Sequence, residues 1–271
     1  KILSCLTMIQ SIVRNIQNEE ISIKLEAERS NNCYSIDQPG SGQALWFAAE
    51  NMCGLIDNLR QQQEDLGSPL SLLELGAGPG LAGIYAARVL GNSLQTVVLT
   101  DGDADVVQLL QRNISRNAVD RSPSSHDYVC SAEVLLWGME DCNQSLLSRH
   151  SLPEGFDVIL GADLIYGKVS TATITLLFQT VHQLLSPSGA FYLAFTRRNL
   201  SISIVLDEAS KLGFDWMLEP DFIYDIFENN VEGLTDLWRD VIYSFRKSEG
   251  ILNNDKSHPE TLSESLHDEG L

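Results

Sequence analysis

The strongest constraint on the fold is an apolar run that leads directly into a turn rich in glycine. The run is Leu70–Leu75, and it is followed by Gly76, Gly78 and Gly80. A second apolar run, Val97–Asp101, ends in a carboxylate 25 residues after Gly76. A strand, a glycine turn, a helix and a second strand ending in an acid is how an α/β domain holds a cofactor that carries a nucleoside. The sequence therefore predicts an α/β domain with a ligand site at this turn.

The spacing of the glycines distinguishes between cofactors. A dinucleotide site needs Gly-x-Gly-x-x-Gly, and the frame that starts at Gly76 fails because its sixth position is Leu81. The frame that starts at Gly78 reaches Gly83 and matches, but Pro79 restricts that turn and leaves the glycine at the strand end without a role. The glycine spacing therefore gives only weak support to a dinucleotide cofactor.

The motif Glu74-x-Gly76-x-Gly78-x-Gly80 resembles the first motif of the class I, or seven-strand, S-adenosylmethionine-dependent methyltransferases. Alternate glycines let the backbone approach a ligand and adopt φ values that a Cβ would forbid. Glu74 can accept hydrogen bonds from loop amides or, through water, from the ammonium group of the cofactor. Asp101 lies where such folds place the acid that accepts both ribose hydroxyls. We therefore predict S-adenosylmethionine as the cofactor, with a turn that binds no ligand as the structural alternative.

Strands and helices alternate through most of the chain, which predicts a mainly parallel, doubly wound, Rossmann-like sheet with helices on both faces. The predicted strands are 70–75, 97–101, 128–135, 156–162, 190–196, 214–218 and 240–245. The predicted helices of this region are 81–90, 103–117, 171–185 and 201–212. No clear crossover helix separates the last two strands, so the last one can be antiparallel, and the resemblance to the seven-strand methyltransferases implies that it is.

Three regions differ in composition. We expect a helical and extended N-terminal extension and cap over 1–66, an S-adenosylmethionine-binding domain over 67–246, and an acidic, disordered tail over 247–271. Within the extension, apolar residues at helical spacing predict a helix over 4–18, and the alternation over 21–25 predicts a short edge strand.

Composition argues against several classes of protein. The chain has 37 acidic and 18 basic residues, a net charge of -19, which argues against nucleic acid and favours a protein substrate with a basic segment. No apolar run is long enough to span a membrane. The five cysteines are scattered without a Cys-x-x-Cys pair, which favours a reduced intracellular protein with no metal site. We expect the cytoplasm, with the nucleus as the alternative, and the oligomeric state stays open.

Three further motifs resemble the methyltransferase 16 family of protein lysine methyltransferases, over about residues 42–245. Members have a Leu-Trp pair before the glycine turn, a tryptophan after the third strand, and Asp-x-x-Tyr after the fourth. The corresponding residues here are Leu45-Trp46, Trp137 and Asp163-Leu164-Ile165-Tyr166. One position departs from the family, because Leu136 stands where members commonly have an acid.

The resemblance implies methyl transfer to a lysine side-chain nitrogen of a protein substrate. From the chemistry of methyl transfer to an amine, we hypothesise that Asp163 and Tyr166 are catalytic and orient the amine by hydrogen bonds after its proton has left to solvent. The candidate cofactor-binding residues are Trp46, Glu74, Gly76, Gly78, Gly80, Asp101, Gly102, Trp137 and Ala162.

Other activities stay open from the sequence. A small-molecule or histidine methyltransferase would share these motifs, because the acceptor pocket involves the N-terminal region and residues 220–237, which carry little signal. A nicotinamide-dependent oxidoreductase would share the fold, and an inactive cofactor-binding scaffold would keep the turn. No Asn-Pro-Pro-Tyr motif follows the fourth strand and no Pro-Cys nucleophile is present, which argues against DNA and RNA substrates.

Overall fold

A computed structural model describes residues 7–16, 19–28, 41–63, 68–118, 128–166, 169–197, 202–229 and 235–248. The strands are β1 (Thr7–Ile16), β2 (Glu19–Glu28), β3 (Leu70–Leu75), β4 (Leu94–Asp101), β5 (Val129–Val134), β6 (Phe156–Ala162), β7 (Leu185–Arg197), β8 (Phe214–Asn229) and β9 (Thr235–Lys247). The helices are α1 (Phe47–Gln63), α2 (Leu81–Leu90), α3 (Ala104–Arg116), α4 (Glu140–His150), α5 (Thr171–Leu184) and α6 (Ile202–Lys211), with short 3-10 turns at Ser41–Gln43 and Gly91–Ser93.

Seven strands form one sheet in the order β5-β4-β3-β6-β7-β9-β8. The first five are parallel, and β9 is antiparallel to both β7 and β8. This confirms the predicted sheet and its antiparallel last strand. The chain leaves β3 towards β4 on one side and returns to β6 on the other, so the switch point of the topology lies between β3 and β6. Ligands of such sheets bind beside the carboxyl ends of the strands at that point.

The central strands are apolar on both faces because helices cover both faces. In β3, Leu72 packs into the core under α1, α2 and α3, whereas Leu73 packs into the opposite core under α4, α5 and α6. In β4, Val97 packs into the same core as Leu72, and Val98 packs into the same core as Leu73. Continuous burial of this kind is typical of parallel sheets.

A separate two-stranded sheet lies near the N-terminus. β1 and β2 pair antiparallel, from Thr7 opposite Glu28 to Ile16 opposite Glu19. The predicted helix over 4–18 is therefore wrong over residues 7–16, and the predicted strand over 21–25 is confirmed and longer. The apolar residues of β1 do fit helical spacing, but several are β-branched, and backbone pairing with β2 outweighs a weak local preference.

This hairpin packs on the helices of one face of the main sheet. Ile23 and Leu25 of β2 are fully buried in the same core as α2. Arg14 of β1 donates to Asp57 Oδ2 of α1 at 2.9 Å, and the Tyr85 hydroxyl of α2 donates to Asp57 Oδ1 at 2.7 Å. Asp57 therefore joins the hairpin to two helices.

Three parts of the chain differ from the sequence prediction or lie outside what the structure describes. α4 was not predicted, because it is polar on most sides and only Asn143 and Leu146 are buried. β8 and β9 extend well beyond the predicted strands, with a register shift between Leu218 and Ile223. The predicted acidic tail lies outside the described residues from position 249 onwards.

Among the helices that the structure describes, none has the length and apolar character needed to cross a membrane.

Close packing of α2 against the sheet depends on Gly83. A Cβ on this residue would lie 2.6 Å from Glu74 Oε2 and 2.7 Å from Leu99 Cγ, well inside contact distance. The absence of a side chain therefore lets the first turn of α2 lie directly on the ends of β3 and β4.

Gly83→Ala should lower the free energy of unfolding by about 1–3 kcal/mol, because overpacking at Glu74 and Leu99 outweighs the usual helical preference for alanine. Urea unfolding measures the change. Gly54→Ala in α1 is the matched control, because the nearest atom to its Cβ would be in the Phe222 ring at 3.3 Å, farther than the contacts at Gly83. A Gly83→Ala protein as stable as the wild type would contradict this packing.

Candidate functional site

The turn between β3 and α2 uses a left-handed backbone at three glycines. The φ angles of Gly76, Gly78 and Gly80 are 55°, 54° and 89°. Residues with a Cβ are strained in this region, so the turn requires glycine there. Inside it, the Gly80 amide donates to the Ala77 carbonyl at 2.8 Å. This tight turn brings its backbone to the carboxyl edge of the sheet.

Glu74, at the end of β3, holds the helix side of the turn. Its side chain is buried, and its Oε2 accepts a hydrogen bond from the Gly83 amide in the first turn of α2 at 2.8 Å. Gly80, which precedes the helix, has no side chain to cap it, so Glu74 satisfies one of the free amides there. Burial raises the pKa of Glu74 to about 8, although the Gly83 hydrogen bond acts in the opposite direction.

Asp101, at the end of β4, holds the other side of the turn. Its Oδ2 accepts from the Gly78 amide at 3.2 Å, and its Oδ1 accepts from the Asp103 amide at 3.1 Å. Each carboxylate oxygen has two lone pairs, so both oxygens can accept a further hydrogen bond. Burial raises the pKa of Asp101, and these amide hydrogen bonds oppose the effect.

Asp163 follows β6 with a φ of 54°, in the left-handed region that few residues other than glycine adopt. Its side chain is buried, and its amide donates to the Ala194 carbonyl of β7 at 2.9 Å. This bond continues the pairing between β6 and β7 beyond the end of β6. Tyr166, three residues later, has 41% of its surface exposed and lines the same cavity as Asp163.

These residues meet at one cavity of about 550 Å³ at the carboxyl edge of the sheet. Among the predicted site residues, the cavity is lined by Trp46, Glu74, Gly76, Gly78, Asp101, Gly102, Trp137, Ala162, Asp163 and Tyr166. Gly80 does not line it, because its position lies against Leu99, Ile84 and Leu110 beneath the turn. Its role is to start α2.

Part of the cavity wall comes from residues that the sequence did not single out. Val169, Thr173 and Leu176, from the segment that leads into α5 and the first turns of that helix, also line the cavity. The available signal was Ser170, which precedes the helix and accepts a hydrogen bond from the Thr173 amide at 3.2 Å. A capping serine predicts where a helix starts but not which of its faces reaches a ligand.

Leu136 and Trp137 form the wall that follows β5. Leu136 is half exposed and lines the cavity where the family commonly has an acid. Trp137 is half-buried beside Gly76, whose Cβ would lie 4.0 Å from the indole ring. This side of the cavity is therefore apolar and aromatic, which suits the flat face of a nucleobase.

A family model described as lysine methyltransferase matches residues 33–212. The chain belongs to this lysine methyltransferase family. The match includes the glycine turn, both tryptophans of the cavity and the Asp-x-x-Tyr segment.

Curated proteins named as lysine methyltransferases are similar to part of the chain. The chain is 32% identical over 159 residues to EEF1A lysine methyltransferase 3 of Mus musculus, which covers 59% of this chain and 57% of that protein. It is 31% identical over 147 residues to protein N-lysine methyltransferase METTL21A of Danio rerio, covering 54% and 57%. The chain thus spans little more than half the length of these relatives.

A solved structure supports the fold independently. The S-adenosylmethionine-dependent methyltransferase of Agrobacterium tumefaciens superimposes with a TM-score of 0.52 over 90% of this chain and 72% of that chain, at 13% identity. At this identity the likeness concerns the fold alone.

Glu74→Gln should change how stability depends on pH. The raised pKa means that the native protein keeps a proton on Glu74 which the unfolded chain loses as the pH rises above about 4.5. The protonated Glu74 carboxyl therefore makes its full contribution to the free energy of unfolding below pH 4.5, and this contribution is lost as the pH rises through about 8. Between these values, the free energy of unfolding of the wild type should fall relative to that of Glu74→Gln by about 1.4 kcal/mol per pH unit.

Urea unfolding of both proteins across this pH range measures the effect. The glutamine oxygen can still accept from the Gly83 amide, so this hydrogen bond is retained in the variant. A difference between the two proteins that does not change with pH would contradict a protonated Glu74.

Proposed function

We propose that this protein is an S-adenosylmethionine-dependent methyltransferase that modifies a lysine side chain of a protein substrate. The observation that carries the proposal is one cavity lined both by the glycine turn with Asp101 and by the Asp163–Tyr166 segment. A cofactor site and an acceptor site that share one cavity suit direct transfer of a group between two ligands.

The cofactor half of the cavity fits an adenosine with a charged tail. The two Asp101 oxygens can accept from ribose hydroxyls, and the apolar wall at Leu136 and Trp137 can accept the base. The left-handed glycines leave the turn backbone bare for close approach of the methionine part. When bound, the cofactor supplies a methyl group on a sulfonium, which the lysine nitrogen takes up with loss of one proton.

The acceptor half of the cavity contains Asp163 and Tyr166. The hydrogen bond from the Asp163 amide to the Ala194 carbonyl fixes the Asp163 backbone at the cavity wall. The exposed Tyr166 ring lies at the entrance, where a lysine side chain from another protein would arrive. Asp163 and Tyr166 orient the amine by hydrogen bonds, while Trp46, from the segment before α1, lines the cavity with them.

A lysine acceptor must lose its proton before it can act as a nucleophile. With an ordinary pKa near 10.4, presenting a neutral amine at pH 7 costs about 4 kcal/mol. Desolvation in an apolar cavity lowers the pKa of an amine, whereas a nearby carboxylate raises it. The apolar lining from Leu164 and Leu176 therefore favours the neutral amine, and Asp163 orients it after the proton has left.

The net charge of -19 favours a substrate with a basic segment around the modified lysine. The relatives include EEF1A lysine methyltransferase 3 of Mus musculus and calmodulin-lysine N-methyltransferase of Arabidopsis thaliana, and these names concern different proteins as substrates. Because these names differ, the protein that this chain methylates has to be identified by experiment. The scattered cysteines favour a reducing compartment, and we place the reaction in the cytoplasm.

The proposal is tested by incubating the purified protein with a cell extract and S-adenosylmethionine that carries an isotopic label in the methyl group. Mass spectrometry of the labelled protein identifies the modified residue. Label on lysine supports the proposal. Label only on histidine or on small molecules, or no transfer at all, would contradict it.

Asp163→Asn should lower methyl transfer by about 100-fold, because a misplaced acceptor loses the alignment that direct displacement needs. Asparagine tolerates the left-handed backbone at this position better than alanine does, so the fold is retained. The affinity for S-adenosylhomocysteine, measured by calorimetry, should stay within about twofold of the wild type. The matched control is Asp207→Asn, which changes an exposed carboxylate on α6 that does not line the cavity. An equal loss of transfer and of cofactor affinity in Asp163→Asn would refute the acceptor role.

A further inference from the structure

One buried side chain connects the N-terminal hairpin to the glycine turn. Asn113 of α3 is fully buried. Its Nδ2 donates to the carbonyl of Glu26 in β2 at 2.9 Å and to the carbonyl of Pro79 in the turn at 2.9 Å. Its Oδ1 accepts from the Glu26 amide at 2.7 Å and from Arg116 at 2.8 Å.

These contacts use the full hydrogen-bonding capacity of a side-chain amide, which has two N–H donors and two acceptor lone pairs. They also fix the orientation of the group, because the reverse orientation would place its oxygen against the carbonyls of Glu26 and Pro79. No other residue type of this size supplies both functions. Aspartate would place acceptors against two carbonyls, and alanine would leave buried backbone groups without partners.

A second asparagine, which caps the C-terminal end of α3, makes the same kind of contact without reaching the turn. Asn117 accepts from the Lys24 amide at 2.9 Å and donates to the Lys24 carbonyl at 2.8 Å. Asn113 and Asn117 are four positions apart, a rise of about 6 Å along a helix, and Glu26 and Lys24 are two positions apart, about 6.8 Å along a strand. The two asparagine side chains therefore match alternate residues of β2. Asn117 therefore docks the hairpin as Asn113 does, and Asn113 alone of the two also contacts Pro79.

The Pro79 carbonyl lies between the two left-handed glycines Gly78 and Gly80. Gly78 donates its amide to Asp101, and Gly80 starts α2. A hydrogen bond that fixes the peptide unit after Pro79 therefore restricts the turn at its centre. The same side chain is fixed from the other side by β2.

We propose that Asn113 is a positioning residue that couples the β1–β2 hairpin to the turn between β3 and α2, so that docking of the hairpin tightens binding at the turn. The identity of the ligand rests on the function proposed above. The coupling itself concerns only the protein and holds without the ligand.

The test compares Asn113→Ala with Asn117→Ala in the full chain. Both variants lose hairpin contacts and should have a lower melting temperature. By calorimetry at 25 °C, Asn113→Ala should bind S-adenosylhomocysteine about tenfold more weakly than the wild type, because the unpaired Pro79 carbonyl releases the turn. Asn117→Ala should bind it within about twofold. Equal weakening in both variants, or none in Asn113→Ala, would overturn the proposal.

Amide hydrogen exchange gives a readout that does not depend on the variants. Since coupling between two sites is reciprocal, S-adenosylhomocysteine should slow exchange of the Glu26 amide in the wild type about fivefold and leave the Lys24 amide within about twofold. If Asn113→Ala does not fold, this comparison decides. Equal protection of the two amides would overturn the proposal.

Failure of the coupling can be told apart from failure of the proposed function. If the wild type does not bind S-adenosylhomocysteine, the proposed function fails, and the coupling is tested without ligand. In that case the Gly80 and Leu81 amides should exchange faster in Asn113→Ala than in Asn117→Ala. Equal rates in the two variants would overturn the coupling.

Discussion

The buried carboxyl group of Glu74 and the partly buried one of Asp101 hold the turn between β3 and α2 from opposite sides, and the rest of the site depends on them. Glu74 accepts the Gly83 amide and fixes the start of α2, and Asp101 accepts the Gly78 amide and fixes the turn itself. Both groups can reach these amides only because the glycines let the chain turn sharply and let α2 lie directly on the sheet. The cavity is the space that this arrangement leaves at the edge of the sheet.

The same arrangement determines the electrostatics of the cavity. Burial raises the pKa of both Glu74 and Asp101, so the site stabilises negative charge poorly while it has no positive partner. A cationic ligand reverses this balance, since an opposite charge close by favours the ionised carboxylate. A methyl donor that carries a sulfonium and an ammonium group suits such a site better than a ligand dominated by phosphates. The apolar lining at Leu164 and Leu176 suits a different requirement, that of a lysine that must be neutral to react.

The central elements were predictable because their signals are local. β3, β6 and α2 have the boundaries expected from their apolar runs and from the glycines and acids beside them. The apolar spacing of β1 is ambiguous and predicts a helix, and only pairing with β2 makes this segment a strand. α4 gave no signal because few of its residues are buried. The role of Asn113 was also hidden, since the sequence of an amphipathic helix does not reveal which polar side chain will meet two distant backbone segments.

The proposed function requires the glycine turn and Asp101 to bind S-adenosylmethionine. Calorimetric titration of the purified wild-type protein with S-adenosylhomocysteine, and separately with NAD, measures this binding. We expect saturable one-site binding of S-adenosylhomocysteine and no measurable binding of NAD. Binding of NAD without binding of S-adenosylhomocysteine would contradict it and would assign the turn to a dinucleotide.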